Sequence, residues 1–317
     1  MTGPSWKDEG LTDAGLIRIG SRGSALALWQ ANHIAQLLRG RGYRVEIEVI
    51  KTTGDRLQEV TFAQVGTKGM FTQEIEEALA AGRIDLAVHS LKDLPTELPE
   101  GFVLGATPKR ADPRDVFVSR DYASLQDLPE GARVGTSSLR RRAQLRSIRP
   151  DLEYVEFRGN VDTRLRKLGE GLAEGIILAA AGLDRLEKTE WVRERIEPEV
   201  VCPAAGQGAL GIEIRDGDQR IAEAVAFLDD APTRFAVTAE RLALAALGGG
   251  CQVPIGVHCW PVSDDKFEIL GVVADPDGSR VLSGRAVGVE AEALGRAVAA
   301  DLIEQGAGEL FQGIGTH

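Results

Sequence analysis

The sequence predicts an α/β protein of two lobes followed by a small α+β domain, and three observations carry that prediction. Short apolar runs alternate with stretches of helical apolar spacing over about the first 220 residues, the rhythm of βαβ units with mostly parallel sheets between helical layers. The polar, Pro-broken PKRADPR (108–114) suits a crossing between lobes, and PAAGQG (203–208) suits a return. After Thr233 the pattern changes to one helix, three strand-like runs and a last helix. The 317 residues are enough for two or three domains whose cores need no disulfide.

In chain order, strands are expected at 17–19, 45–50, 86–88, 103–106, 116–118, 152–155, 176–179 and 210–214, each a short apolar run. Helices are expected at 25–38, 71–81, 139–148 and 161–168, where apolar residues recur every three or four positions. A helix over 233–247 stops at Gly248, Gly249 and Gly250, and strands at 255–260, 267–273 and 281–287 precede a helix near 290–304. Lobe 1 then takes residues 14–108 and 209–228, lobe 2 takes 114–203, and the α+β domain takes 231–317. Ligands of such folds sit at strand C-termini, often in a cleft between lobes.

Composition narrows the function classes. Hydrophobic residues at 43% and charged residues at 27% suit a soluble globular chain. The longest apolar run, 176–183, is far short of the ~20 residues that span a bilayer. The N-terminal MTGPSWKDEGLTDAGL lacks the basic start and apolar stretch of a secretory signal, and three cysteines are few for the length, so a reducing cytoplasm is expected. A net charge of −11 argues against a general nucleic-acid or anionic-membrane binder. The charge is uneven: residues 133–167 hold nine Arg, one Lys and four acids, net +6, against −17 elsewhere. Residues 231–317, with six basic and eleven acidic groups, are not expected to bind an anion alone.

The densest motif is GTSSLRRRAQLR (135–146), a strand end, a hydroxyl-rich turn and a helix start. A helix N-terminus already acts as a positive charge, so Arg140, Arg141 and Arg142 each oppose it by ~0.3–1 kcal/mol, and something negative must compensate. A solvated basic face paired with acids elsewhere is the plainer reading. Hydroxyls, free amides and guanidiniums converging in one turn favour an anion site. FRGNVDTRLRK (157–167) repeats the pattern one βα unit later, with Arg158 at a strand end, Gly159, Asn160 as N-cap, and Arg164 one turn into the helix. GSRGS (20–24) places Arg22 and hydroxyls at a third such junction. In IDLAVHSLKDLP (84–95) a strand runs into Lys92 and Asp93. That carboxylate either stabilises developing positive charge or moves a proton, or else it pairs with Lys92 or caps the turn, and spacing alone does not separate the two.

GGGCQVP (248–254) puts Cys251 on irregular backbone with room around its thiol, whereas Cys202 and Cys259 read as buried structural thiols. His33, His89, His258 and His317 show no metal-ligand spacing, and there is no GxxxxGK[ST] phosphate loop. No bound metal is therefore expected.

Taken in order, RIGSRGSALALWQA, KGMFTQEIEEALAAGRIDLAVHSLKDLP, GTSSLRRRAQL, FRGNVDTRL, PAAGQGALGIE and GGGCQVPIG resemble the porphobilinogen deaminase (hydroxymethylbilane synthase) family from about residue 17 into the C-terminal domain. The resemblance implies two periplasmic-binding-protein-like lobes plus the small domain. It also implies a transferase of haem and tetrapyrrole biosynthesis that joins four porphobilinogens head to tail, releasing ammonia. Its primer, a dipyrromethane, is held by a thioether to the cysteine matched by Cys251. Each pyrrole brings an acetate and a propionate, which gives the arginines their purpose. By motif position Arg22, Arg140, Arg141, Arg158 and Arg164 resemble carboxylate-binding arginines, and Ser24, Thr136 and Ser138 resemble supporting donors. Lys92 resembles a further cofactor-binding residue and Gln30 lies near the first arginine loop. Lys68 and Phe71 fall in the stretch that resembles the family's mobile active-site loop, Asp93 resembles the catalytic carboxylate, and Arg142 matches no family position. Porphobilinogen is then the only partner expected, with no nucleic acid and no membrane, and the family implies a monomer. Two rivals share part of the pattern: a non-catalytic anion-binding protein, which has no use for Cys251, and a thiol enzyme using Cys251 as a turnover nucleophile, which would carry no stable adduct.

Overall fold

A computed structural model describes residues 15–53, 72–249 and 253–310. Lobe 1 is built on a five-stranded sheet of order β2-β1-β3-β10-β4. Its strands are β1 (Leu16–Ser21), β2 (Arg44–Val49), β3 (Leu86–Ser90), β4 (Phe102–Ala106) and β10 (Leu210–Arg215). Lobe 2 repeats the arrangement as β7-β6-β8-β5-β9, from β5 (Asp115–Val118), β6 (Arg133–Gly135), β7 (Glu153–Val155), β8 (Gly175–Ala179) and β9 (Val192–Ile196).

Each sheet is mixed. β1 pairs in parallel with β2 and β3, while β10 runs antiparallel to β3 and β4. Likewise β6 pairs in parallel with β7 and β8, while β5 runs antiparallel to β8 and β9. Four strands of each sheet thus point one way, as the βαβ rhythm predicts, and one strand is inverted. The inverted strand is in both cases the first one after the chain crosses from the other lobe: β5 follows the crossing at 107–114, and β10 follows the return at 197–209. Both crossings leave from strand C-termini, so the chain enters the new lobe on the cleft side and its first strand must run away from the cleft.

Strand alternation buries both faces of each sheet. In lobe 1, Leu86 and Val88 join Ile19, Ile34 and Leu38 on one face, and Ala87 joins Ile75, Leu79 and Ile84 on the other. In lobe 2, Phe117 packs with Val134, Leu145 and Ile177, while Val116 and Val118 pack with Leu165 and Ile176. The covering helices are α1 (Ala25–Arg39), α2 (Gln73–Ala80), α3 (Leu139–Ile148), α4 (Val161–Gly169), α5 (Ala180–Arg185) and α6 (Gln219–Val225). Their starts follow from side-chain caps: Ser24 accepts from Ala27 N, Ser138 from Arg141 N, Asn160 from Thr163 N and Asp218 from Ile221 N. Strand β9 and helices α5 and α6 lie where the sequence reading placed no separate element. The apolar run at 176–183 is in fact a strand end and a helix in succession.

The third domain packs α7 (Ala231–Ala246), α8 (Ala291–Glu304) and α9 (Ala307–Leu310) on an antiparallel sheet of β11 (Ile255–Pro261), β12 (Phe267–Ala274) and β13 (Val281–Gly288). The crossings fit closely. A Cβ on Gly208, whose φ is +85°, would come within 2.7 Å of the Ala111 carbonyl, and one on Gly256 within 2.5 Å of the Cys202 carbonyl. Cys202 and Cys259 are free and buried, and burial pushes both thiols up. Among the described residues no helix is long and apolar enough to cross a membrane.

Candidate active site

The loops and helices that follow the parallel strands carry the predicted residues that lie within the described chain, and Lys92 and Asp93 of lobe 1 come within electrostatic reach of Arg140, Arg141 and Arg164 of lobe 2. In lobe 1, Arg22 and Ser24 occupy the β1–α1 loop. Gln30, buried on α1, donates from Nε2 to Ser90 Oγ at 2.8 Å and so ties the helix to the end of β3. Beyond Ser90 the chain makes a tight 3-10 turn, Leu91–Asp93. Leu94 N donates to Leu91 O at 3.1 Å to close it, and Leu91 N donates to Ala209 O at 3.0 Å to anchor it. Lys92 is largely enclosed. Burial pushes its ammonium down to about 8, Asp93 pulls it up, and Arg141 and Arg140 across the cleft push it down.

In lobe 2, Thr136 is buried. Its Oγ1 accepts from Ser138 N at 3.2 Å, and Ser138 in turn caps α3. The two arginines that follow are not solvated. Arg140 and Arg141 are each 5% exposed and both meet Asp115, which is 0% exposed at the start of β5. Arg140 Nη2 stands 2.8 Å from Asp115 Oδ2, and its Nη1 donates to Cys202 O at 2.6 Å. Arg141 donates to Asp115 Oδ1 from Nη2 at 2.7 Å and from Nε at 3.1 Å, and to Ile177 O from Nη1 at 3.2 Å. Gln207 Nε2 adds a bond to Asp115 Oδ1 at 2.8 Å. Burial would raise the Asp115 carboxyl, but the two guanidiniums outweigh it and hold the group below the usual carboxylate range. Part of the compensation that the helix start requires therefore comes from inside the chain, through a residue the sequence reading did not single out. Two guanidiniums against one carboxylate still leave a positive charge.

Arg158 bonds Glu156 Oε1 through Nε at 2.6 Å, a half-exposed pair. Arg164 is largely enclosed. Its Nε donates to Gly159 O at 2.8 Å, burial together with Arg141 pushes it down to about 10, and Glu156 and Asp93 pull it up. Among the described residues no carboxylate lies within ion-pair distance of Arg164 or Lys92. Asp93 is exposed, and its influence on Arg164 of the opposite lobe places it at the cleft.

One cation was missed. Arg185 on α5 donates from Nη2 to Gly208 O at 2.8 Å and lies 5.8 Å from the Trp29 ring centroid on α1, bridging the lobes. Burial pushes it down to about 10. Its signal was a basic residue just past an apolar run, which becomes meaningful only once 180–185 is known to be a helix. Cys251, Lys68 and Phe71 lie outside the described residues, as do 54–71 and 250–252 generally. The described chain stops at Gly249, three residues beyond α7, and resumes at Val253.

Enclosed cations with no carboxylate at ion-pair distance among the described residues, facing an exposed carboxylate, fit a ligand that carries several carboxylates and develops positive charge as it reacts. Comparison with known proteins identifies the family. Residues 17–223 match the family domain described as porphobilinogen deaminase, dipyromethane cofactor binding domain, and 234–304 match the porphobilinogen deaminase C-terminal domain. Porphobilinogen deaminase of Nitratidesulfovibrio vulgaris (strain DSM 19637 / Miyazaki F) is 51% identical over 301 residues, covering 92% of this chain and 95% of that one. The enzyme of Syntrophobacter fumaroxidans is 49% identical, covering 94% and 98%. The methionine-binding protein MetQ overlaps 68% of this chain and 88% of its own at 15% identity, with a TM-score of 0.43. The chain belongs to the porphobilinogen deaminase family, the enzymes that polymerise porphobilinogen on a dipyrromethane cofactor in tetrapyrrole biosynthesis.

Proposed function

We propose that the cleft holds the pyrrole carboxylates through Arg22, Ser24, Gln30, Lys92, Thr136, Ser138, Arg140, Arg141, Arg158 and Arg164. Asp93 is the catalytic carboxylate, Cys251 is the thioether attachment point, and Lys68 and Phe71 belong to the active-site loop. The observation that carries this reading is the pair Arg164 and Lys92, two cations enclosed where the lobes meet with no carboxylate at ion-pair distance among the described residues. Such charges are costly unless an anion joins them, and a dipyrromethane with four carboxylates fits that need. When bound, that cofactor supplies the primer to which pyrrole units are added.

The residues divide the work by environment. Arg140 is spent largely on Asp115 and the Cys202 carbonyl, so it supports the floor of the site and shares its charge with the guest. Arg158 can exchange its half-exposed Glu156 for a guest carboxylate at little cost. When porphobilinogen loses ammonia the remaining pyrrole is cationic. Asp93, exposed at the cleft, accepts from its ring N–H in this reading and stabilises that charge. Lys92 beside it, still mostly protonated at neutral pH, orients a carboxylate. The net charge of −11, with its positive excess concentrated in residues 133–167, supports a small-molecule enzyme with neither nucleic acid nor membrane as partner, and the family resemblance and few cysteines support a monomeric cytoplasmic one.

The test is the intact mass of protein purified from a host that makes porphobilinogen. The wild type should carry a two-pyrrole increment and Cys251→Ser should fold without it. An increment retained in Cys251→Ser overturns the attachment site, and an unmodified wild type favours a binding protein.

A further inference from the structure

Helix α7 meets lobe 1 along one face. The Thr233 hydroxyl accepts from Arg110 N at 3.0 Å, and Arg234 donates to Leu104 O and Gly105 O of β4 at 3.1 and 3.3 Å. Val237 packs with Leu91 and Leu94. One turn further on, Arg241 donates from Nη2 to Pro95 O at 2.7 Å and Thr96 O at 3.0 Å, and from Nη1 to Leu94 O at 3.5 Å. Residues three, four and seven apart on a helix share a face, so these contacts act as one surface.

Arg241 differs from the other arginines of this interface. Arg110 meets the buried Glu240, and Arg234 meets Asp229. Among the described residues no carboxylate lies within ion-pair distance of Arg241, and burial lowers its pKa. A guanidinium matched to a carboxylate chiefly settles charge, whereas one spread over three consecutive main-chain carbonyls settles where the backbone runs. Those carbonyls belong to the residues directly after Asp93. The turn is anchored on its leading side by the bond from Leu91 N to Ala209 O, and on its trailing side by Arg241. The same helix ends at Ala246, and Gly248 and Gly249 follow it two residues before Cys251 in the sequence.

We infer that Arg241 is a positioning residue: from the C-terminal domain it holds the Lys92–Asp93 turn in register with α7, the helix that precedes Cys251 in the sequence. The inference rests on the reading of Asp93 as the carboxylate that acts on the reacting pyrrole. A lateral error of an ångström in a catalytic group can slow a reaction by about 10²-fold, so a helix that couples the carboxylate to the cofactor's domain has a clear use.

The test uses holoenzymes of Arg241→Met, Arg241→Lys and Arg234→Met, with cofactor content checked by intact mass and stability by urea midpoint. Single-turnover condensation is followed across porphobilinogen concentrations. Arg241→Met should lose about tenfold or more in saturating rate while its half-saturation concentration stays within about twofold. Arg241→Lys should recover part of the rate. Arg234→Met gives up the same kind of bond to β4, and should lose stability yet keep its rate. If Arg241→Met does not fold, Arg241→Lys carries the test through a reduced saturating rate at unchanged half-saturation. A wild-type rate in the Arg241 variants, or an equal fall in Arg234→Met, overturns the inference. Asp93→Asn run alongside separates the two readings. If it condenses normally the catalytic role of Asp93 fails, and a slow Arg241→Met then supports positioning of the turn through Lys92. If it collapses while Arg241→Met is normal, only the positioning fails.

Discussion

In lobe 1 the loop from the second strand of the sheet to the helix behind it holds Arg22 and ends on the cap Ser24; in lobe 2 the matching loop holds Thr136 and ends on the cap Ser138. One strand further along, the lobes diverge. β3 runs into Lys92 and Asp93, whereas β8 runs into α5 and Arg185. Lobe 2 adds Arg140, Arg141, Arg158 and Arg164. The same scaffold is thus used twice, once to present an exposed carboxylate and once to gather cations. The geometry between acid and cations is set by how the lobes meet, through the crossings, Arg185 on Trp29 and the grip of α7, rather than within either lobe.

The contrast is sharpest between two aspartates. Asp115 of lobe 2 is buried against two guanidiniums and Asp93 of lobe 1 is exposed. Asp115→Asn should leave two buried cations without a carboxylate and cost about 3–5 kcal/mol, read as a lower urea midpoint. Because its folded-state pKa lies below the unfolded value, that stability is present above about pH 4 and lost as acid protonates the group. Wild type should therefore lose its advantage over Asp115→Asn as pH falls, and an unchanged difference at pH 3 would remove Asp115 from the account. Asp93→Asn should leave the midpoint alone and lower single-turnover condensation by about 10²-fold or more, with Asp93→Glu less impaired. Equal behaviour of the two aspartates in both assays would erase the distinction between lobes.

Smaller effects refine it. Arg164→Leu should fold at least as well as wild type, since the cation has no carboxylate partner among the described residues, yet weaken cofactor or chain binding by about 1.5–3 kcal/mol. Arg140→Leu should instead lose stability, because it breaks the contacts to Asp115 and Cys202. Lys92 loses its charge near pH 8 in the absence of a guest, while a bound carboxylate raises that value, so cofactor loading of the apoprotein should weaken above about pH 8. The ratio of Lys92→Arg to wild-type loading should therefore rise with pH, and a flat ratio would mean that Lys92 does not contact the cofactor. Ser138→Ala and Ser24→Ala, which remove equivalent caps in the two lobes, should each cost about 1 kcal/mol.

Much of this arrangement was legible in the sequence. Local signals placed α1, α3 and α4 within a residue or two, because their caps and apolar spacing are local, and the same logic put Arg22, Arg140 and Arg158 at strand-to-helix junctions. What escaped was non-local. Hydrophobic alternation gives no strand direction, so β5 and β10 could not be seen to run against their neighbours. Asp115 lies 26 residues before the guanidinium it bonds, in a strand that reads as plain apolar core. Arg241 sits on a helix read correctly, but its partners are carbonyls 145–147 residues away, which no residue pattern announces.

The exchange of strands between lobes also sets an order of assembly. All five strands of lobe 2 come from residues 115–196, whereas lobe 1 lacks the strand between β3 and β4 until β10 has been made. At ~5–20 residues per second the ribosome needs roughly 5–20 s to travel from the end of β4 to the end of β10. During that interval two sheet edges in lobe 1 stand open to wrong partners. The later-encoded lobe is therefore the first that can close, and a nascent chain stalled shortly after β9 clears the exit tunnel should resist protease in lobe 2 while remaining cleavable in lobe 1. Slow synthesis or a stall between β4 and β10 would then threaten the lobe that carries Asp93.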